Sequence, residues 1–342
     1  MSSTGGLGGA SGAGEGLLPP PSSLLPVVCG PTAAGKSAIA QWLAQRHNIL
    51  IISADSRQVY RGFDIGTGKP SASEQQAVPH RGVDVADPRE RYSAAKWNAM
   101  ARSAIAEARE SRRQPVIVGG TGFYISTLFQ PLWHEPELDP AARTAVQAAL
   151  AAITTDELRR WCTTLDPARA HLGRAQLLRA VEIALLTGHR LSDLHKAGAS
   201  QADFRGCYLL VDPGPELAVS IAARTSAMFE AGWTQEVTGL MQSVPADAPA
   251  WNASGYRTVR EHVEGTVHRS AAIERIIIET RQFAKRQRTW FRHQLDATQV
   301  TQLAPNATGW QDVVEKWIRS CSSQSPVTNP QSPVTSPWSV SR

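Results

Sequence analysis

Cysteine is scarce in this chain: the 342 residues hold four, Cys29, Cys162, Cys207 and Cys321, and no two form a C-x-x-C pair. Such spacing argues against a structural zinc site or a disulfide framework and fits a reducing cytosol. No apolar run approaches the ~18 residues a spanning helix needs, so no membrane partner is expected. A basic segment ahead of an apolar stretch is also lacking at the N-terminus, which is unlike a secretory signal. The two ends are poor in core-forming residues. Residues 1–23 are rich in Gly, Ser and Pro, and residues 321–342 carry the imperfect repeat QSPVTNP, QSPVTSP. Both tails are expected to be disordered.

What remains is ample for a core, with 42% hydrophobic and 19% charged residues overall. Short β-branched runs at Leu24–Cys29, Ile49–Ser53, Gln114–Val118 and Cys207–Val211 alternate with helical patterns at Lys36–Arg46 and Ala94–Arg112. That alternation predicts an α/β parallel-sheet core of the P-loop NTPase-like kind over residues 24–139 and 201–320. Residues 140–200 differ. Three helical patterns follow one another there without a strand between them, which predicts a helical insertion into the core.

The most specific motif is Gly30-Pro-Thr-Ala-Ala-Gly35-Lys36-Ser37, which matches G-x4-G-K-[ST] between a strand and a helix. Glycines let backbone amides converge on phosphate oxygens, and the helix N-terminus adds partial positive charge. Lys36 supplies a cation, and the Ser37 hydroxyl can ligate Mg²⁺. By itself the loop reads most easily as a nucleotide site for ATP. However, the third strand ends Val116-Ile-Val-Gly-Gly and not in a metal-organising acid, which leaves Asp212 as a substitute. Asp55 follows the second strand, where strand ends converge on the binding crevice. It reads either as a base beside the loop or as an ordinary turn aspartate.

The modest net charge of +5 is concentrated in one place. Between Glu274 and Arg292 lie six basic residues and two acidic ones. Arg281, Lys285, Arg288 and Arg292 share one helix face, whereas Ile276, Phe283 and Trp290, flanked by Ile277, Ala284 and Phe291, form the expected buried stripe. The charged face is read equally well as a solvated surface or as a seat for a polyphosphate backbone.

Taken in order, these motifs resemble the tRNA dimethylallyltransferase (isopentenyl-tRNA transferase) family. GPTAAGKS, DSRQVYRGFDIGTGKP, RRQPVIVGGTGFY, MFEAGWTQEV, SGYRTVREHVEG and TRQFAKRQRTWFR match the family's blocks over about residues 25–295. The resemblance implies transfer of a dimethylallyl group from dimethylallyl diphosphate to the exocyclic N6 amine of the adenosine 3′ to the anticodon. It assigns the diphosphate to Gly30, Thr32, Ala33, Ala34, Gly35, Lys36 and Ser37, with Mg²⁺ at Ser37 and catalytic roles for Asp55 and Thr32. Contacts to the tRNA anticodon stem-loop would come from Asp55, Ser56, Arg57, Gln58, Thr121, Arg143, Arg179, Gly255, Tyr256 and Arg257. The basic helix would add Arg281, Lys285, Arg286, Gln287, Arg288, Thr289, Trp290 and Arg292. A cytoplasmic monomer is expected.

The sequence departs from the family pattern in two places. H-P-N-D-x-x-R-x-x-R-A-L-E reads AHLGRAQLLRAVE here, placing Gly173 and Gln176 where Asp and Arg are expected and keeping Arg179 and Glu182. R-I-x-x-R reads Ser220-Ile-Ala-Ala-Arg224, losing its first Arg. A catalytically impaired tRNA-binding relative and a P-loop small-molecule kinase are the competing readings. Retention of Lys36, Ser37, Asp55 and Thr121 favours an active transferase.

Overall fold

Six strands line up in the order β3-β2-β4-β1-β5-β6, all parallel, in the computed structural model, which describes residues 24–129, 138–197 and 204–323. In chain order the first half comprises β1 (Leu24–Cys29), α1 (Lys36–Ala44), β2 (Ile49–Ser53), α2 (Ala72–Ala77), β3 (His80–Arg81), α3 (Ala94–Glu110), β4 (Gln114–Gly119) and α4 (Gly122–Phe129). Four helices follow, α5 (Pro140–Ala151), α6 (Thr155–Leu165), α7 (Arg174–Thr187) and α8 (Leu191–Ala197). The chain then returns to the sheet through β5 (Arg205–Val211) and continues as α9 (Leu217–Glu230), α10 (Trp233–Ser243) and α11 (Tyr256–Val263). It finishes with α12 (Arg269–Gln294), β6 (Val300–Leu303) and α13 (Trp310–Ser323).

The strand residues explain why the sheet is central. Val28, Ile51, Val116 and Leu209 point to one apolar layer with α1, α9 and α13, and Val27, Leu50, Ile52 and Ile117 point to the other with α3 and α4. The four inner strands β1, β2, β4 and β5 are therefore apolar on both faces, as a doubly covered parallel sheet requires. Burying each such side chain contributes about 1.5–3 kcal/mol. Helix starts carry their own signals: Ser93 and Thr154 accept the amides of Lys96 and Glu157, and Asp139 accepts that of Ala142 ahead of Pro140. A third core gathers Phe63, Trp233, Trp251 and Tyr256 beneath α9–α12, and a fourth lies within α5–α8, around Leu158, Cys162, Leu177 and Val181.

Three features differ from the sequence reading. Edge strands β3 and β6 were not expected: two residues, His-Arg, and the half-polar Val-Thr-Gln-Leu carry no strand pattern of their own. Their pairing with Ile51–Ile52 and Tyr208–Val211 supplies the order instead. Helix α13 runs to Ser323, so Cys321 belongs to a helix and not to the expected tail. The remainder of both tails, residues 1–23 and 324–342, lies outside the described residues. Finally, Cys207 on β5 and Cys321 on α13 form a disulfide with Cα atoms 6.0 Å apart, against the expectation of unpaired thiols. Their separation of 114 residues in sequence says nothing about distance once α13 packs on the sheet.

Candidate active site

The carboxyl ends of β1, β2, β4 and β5 converge, and close backbone approach is what holds them together. Gly30 leaves β1 at φ 146°, where a Cβ would collide with the Val211 carbonyl oxygen at the end of β5. Ala33 at φ 62° and Gly35 at φ 88° turn the loop so that α1 begins at Lys36. Its first-turn amides are then orphan donors aimed into the crevice. The Lys36 ammonium folds back to donate to the Pro31 carbonyl at 2.7 Å.

Arg224, from α9, completes the polar end. Its guanidinium donates to the Thr32 hydroxyl at 3.4 Å and to the Thr67 carbonyl at 3.2 Å. Burial pulls the Lys36 pKa down to about 8; nearby Asp55 opposes the shift and Arg224 adds to it. Burial likewise lowers Arg224, again opposed by Asp55. Neither cation has an ion-pair partner among the described residues, so the end of the crevice holds two sheltered positive charges with Asp55 as the nearby acid. A multiply charged anion is what such a pair stabilises. Ser220, whose hydroxyl donates to the Glu216 carbonyl, lies with Ala33–Ser37 and Arg224 around a shallow depression over the loop. Arg224 thus supplies an arginine at the phosphate loop, and Ser220 leaves open space beside it.

Asp55 stands at the end of β2, its Oδ1 accepting the Arg57 amide at 2.8 Å. Beside it, the Ser56 amide donates to the Thr121 hydroxyl at 3.0 Å, and the Thr121 amide donates to the Ala54 carbonyl at 3.0 Å. Gln58 accepts from the Ser53 hydroxyl and donates to the Gly68 carbonyl, pinning the loop after β2. Thr32, Ala33, Lys36, Ser37, Asp55, Arg57, Gln58 and Gln287 all line one cavity of about 350 Å³. Met228, Trp233, Ala253, Ile276 and Phe283 add apolar surface to its lining. Among the described residues no three His, Cys, Asp or Glu side chains form a metal cage. Any divalent ion here would be held by Ser37 together with the anion itself.

Helix α12 borders the same crevice, and its faces are divided differently from the sequence expectation. Ile276, Ala284 and Phe291 are buried, but Phe283 and Trp290 are only half-buried, and the fifth buried position besides Ala272 is polar Gln287. Gln287 accepts the Thr32 amide and donates to the Gly120 carbonyl, both at 2.8 Å. Gly122 is required where it stands because a Cβ there would enter the Trp290 ring. Arg288 is not an open surface charge: it makes a two-pronged ion pair with Asp212 and donates to the Gly214 carbonyl at 2.6 Å. That pairing engages both carboxylate oxygens of Asp212. Arg281, Lys285, Arg286, Thr289 and Arg292 are exposed.

Other expected contacts lie elsewhere. Tyr256 is fully buried, its hydroxyl donating to Glu236 at 2.6 Å and accepting the Gly66 amide at 3.1 Å. Gly255 is buried against Trp233, which lines the cavity, and neither Gly255 nor Tyr256 offers a surface to RNA. Arg257 is exposed and donates to the Asn252 side chain at 2.5 Å. In the insertion, Arg143 at 3.0 Å and Arg179 at 2.5 Å converge on Glu182, joined by Gln147 at 2.7 Å. Burial raises the Glu182 pKa, but hydrogen bonds from Arg179, Gln147 and Arg143 outweigh it and hold the carboxyl below its usual range. Gly173 takes the N-cap position of α7 without a side-chain bond. Sequence reasoning did not assign Thr67, Met228, Trp233 or Phe283 to the site. Each sits in a quoted block, Thr67 in I-G-T-G-K-P, Met228 and Trp233 in MFEAGWTQEV and Phe283 in TRQFAKRQRTWFR, but only the fold brings them to one cavity.

Two family models match, IPP transferase over residues 58–294 and isopentenyl transferase over residues 24–82. The chain is 39% identical over 276 residues to a tRNA dimethylallyltransferase of Thermosynechococcus vestitus, covering 79% of this chain and 87% of the relative. Identity is 42% over 277 residues to the tRNA dimethylallyltransferase of Alkalilimnicola ehrlichii, again covering 79% and 87%. Among solved structures, a tRNA isopentenylpyrophosphate transferase from Bacillus halodurans superimposes with a TM-score of 0.62 at 30% identity, covering 88% of this chain and 96% of its own. A eukaryotic dimethylallyltransferase acting on tRNA shares the fold with a TM-score of 0.74 at 24% identity, covering 91% and 82%. Family models, relatives and the ordered motifs agree, and the chain belongs to the IPP transferase family.

Proposed function

We propose that this protein transfers the dimethylallyl group of dimethylallyl diphosphate to the N6 amine of the adenosine 3′ to the anticodon of tRNA, acting as a cytoplasmic monomer. One observation carries the reading: the half-buried cations Lys36 and Arg224, with Asp55 near both, line a cavity that Met228, Trp233, Ile276 and Phe283 also line with apolar surface. A small apolar chain ending in a diphosphate fits that polarity. An ATP-dependent kinase would leave the apolar surface unused.

The chemistry follows from the positions. The C–O bond to the diphosphate breaks as the N6–C bond forms, and the amine loses one proton. Lys36, Arg224 and the loop amides stabilise negative charge accumulating on the departing diphosphate. Ser37 is the residue that would hold Mg²⁺, which when bound supplies further positive charge to that group. Asp55 accepts the hydrogen bond, and then the proton, of the attacking amine. Thr32 orients the diphosphate through its hydroxyl. Because an adenine amine is a weak nucleophile, positioning supplies much of the acceleration. The target base must leave the anticodon loop to enter the cavity, a cost smallest for an unpaired nucleotide. Exposed Arg281, Lys285, Arg286 and Arg292 on α12 meet the RNA backbone.

The test is incubation with labelled dimethylallyl diphosphate, Mg²⁺ and unmodified tRNA, followed by nucleoside mass spectrometry. N6-(dimethylallyl)adenosine at the position 3′ to the anticodon is the expected product. RNA that is bound yet stays unlabelled would instead favour the impaired relative, for which Gly173, Gln176 and Ser220 give the motive.

A further inference from the structure

We propose that Gln287 is a positioning residue that links the two substrate sites, so that RNA docking on α12 and diphosphate binding at the phosphate loop strengthen each other. The proposal rests on the transferase reading above. Gln287 occupies a buried row of α12 between Ala284 and Phe291 and is only 8% exposed. A primary amide in that row is costly unless both of its ends are satisfied. Both are, and the partners are informative. Its oxygen holds the Thr32 amide at 2.8 Å and its nitrogen holds the Gly120 carbonyl at 2.8 Å, residues 255 and 167 positions away in sequence.

These bonds reach both halves of the chemistry. Thr32 lies inside the phosphate loop, and its hydroxyl meets Arg224. Gly120 precedes Thr121, whose hydroxyl holds the Ser56 amide next to Asp55. A single side chain therefore spans from the loop that grips the leaving group to the turn that braces the base. There is no slack at the second contact, since a Cβ on Gly120 would collide with the Gln287 nitrogen. The next residue, Arg288, is locked to Asp212 at the end of β5, which fixes the register of α12 against the sheet.

The opposite face of the same turns carries exposed Lys285, Arg286, Thr289 and Arg292. RNA that seats on this face acts on the helix that holds the Thr32 amide in place. Loop geometry at Thr32 is thus set by α12, and any stabilisation of α12 by RNA is shared by the loop. By linkage the effect is reciprocal, and couplings between sites commonly amount to about 5–150-fold in affinity.

The experiment is isothermal titration of inorganic diphosphate with Mg²⁺ into the full chain, with and without a saturating unmodified anticodon stem-loop RNA. For the wild type, RNA is expected to tighten diphosphate binding at least about fivefold. In Gln287→Met, which keeps the volume and loses both bonds, the enhancement is expected to shrink to within about twofold. The loss should be reciprocal: in Gln287→Met, RNA affinity measured with diphosphate saturating falls by the same factor, while RNA affinity of the diphosphate-free protein changes little. Amide exchange of residues 32–37 in the wild type gives a readout that needs no variant: RNA alone should slow it. An RNA-bound wild type with unchanged diphosphate affinity and unchanged loop exchange overturns the proposal, as does an enhancement that persists in Gln287→Met. Failure of the wild type to bind RNA at all overturns the transferase reading itself, and this inference with it.

Discussion

The phosphate end of the cavity and the helical insertion both gather two cations near a carboxylate, yet they treat charge in opposite ways. In the insertion, Glu182 draws in Arg143, Arg179 and Gln147, and its side chain is 6% exposed. Every group there is answered by another, and the cluster ties α5 to α7. At the cavity, Lys36 and Arg224 are sheltered without an ion-pair partner among the described residues, and burial lowers the pKa of both. A protein that leaves half-buried cations unneutralised sets up an electrostatic demand that an anion can meet. The same residue types thus read as architecture in one region and as a binding site in the other.

The sharpest way to break this contrast is at Asp55. Asp55→Asn is expected to lower kcat by about 10²–10⁴-fold while leaving RNA affinity nearly intact, measured by single-turnover transfer and by a binding assay. A change in RNA affinity alone, with kcat retained, would remove Asp55 from the chemistry. Next comes Lys36→Met, for which loss of one preorganised charge is expected to cost about 10²–10³-fold in rate.

Lys36 also predicts a pH effect with a definite sign. Its pKa in the free protein is about 8, so the ammonium is charged below that pH and is lost above it. Diphosphate affinity should therefore be flat below the pKa and fall by up to about tenfold per unit above it. Calorimetry across that range should show the fall in the wild type and not in Lys36→Met.

In the insertion, Glu182→Gln is expected to destabilise the protein by about 1–3 kcal/mol, because Arg143 and Arg179 lose their shared partner. Thermal unfolding should register this while kcat changes far less than in Asp55→Asn. Smallest of all is Lys285→Ala, an exposed charge on α12. Weaker RNA binding is expected, uniform across sequences, with the slope of log affinity against log salt reduced by about one.

The four inner strands, the phosphate loop and Asp55 could be read directly because each is local. A β-branched run is apolar on both faces wherever it sits in a doubly covered sheet, and G-x4-G-K-S shapes its own backbone. The charge face of α12 was only half legible. Periodicity placed Arg281, Lys285, Arg288 and Arg292 on one side, but it could not say that Asp212 waits beside Arg288. For the same reason the buried stripe was given Phe283 and Trp290, when the position that matters is Gln287. Tyr256 was grouped with RNA contacts from its motif, and burial shows that it holds Glu236 and Gly66 instead.

By itself, then, the sequence determined the parallel α/β core, the phosphate-type loop with Lys36 and Ser37, the placement of Asp55 after β2 and the family to which the chain belongs. These depend on neighbours in the chain, where a few residues dictate backbone conformation. Only the tertiary structure decided that Arg224 reaches Thr32, that Arg288 is spent on Asp212, that Gln287 bridges Thr32 and Gly120, and that Cys207 meets Cys321. Each of those pairs joins segments far apart in sequence. A hydrophobic period states which face of an element turns inward, but not what it will find there.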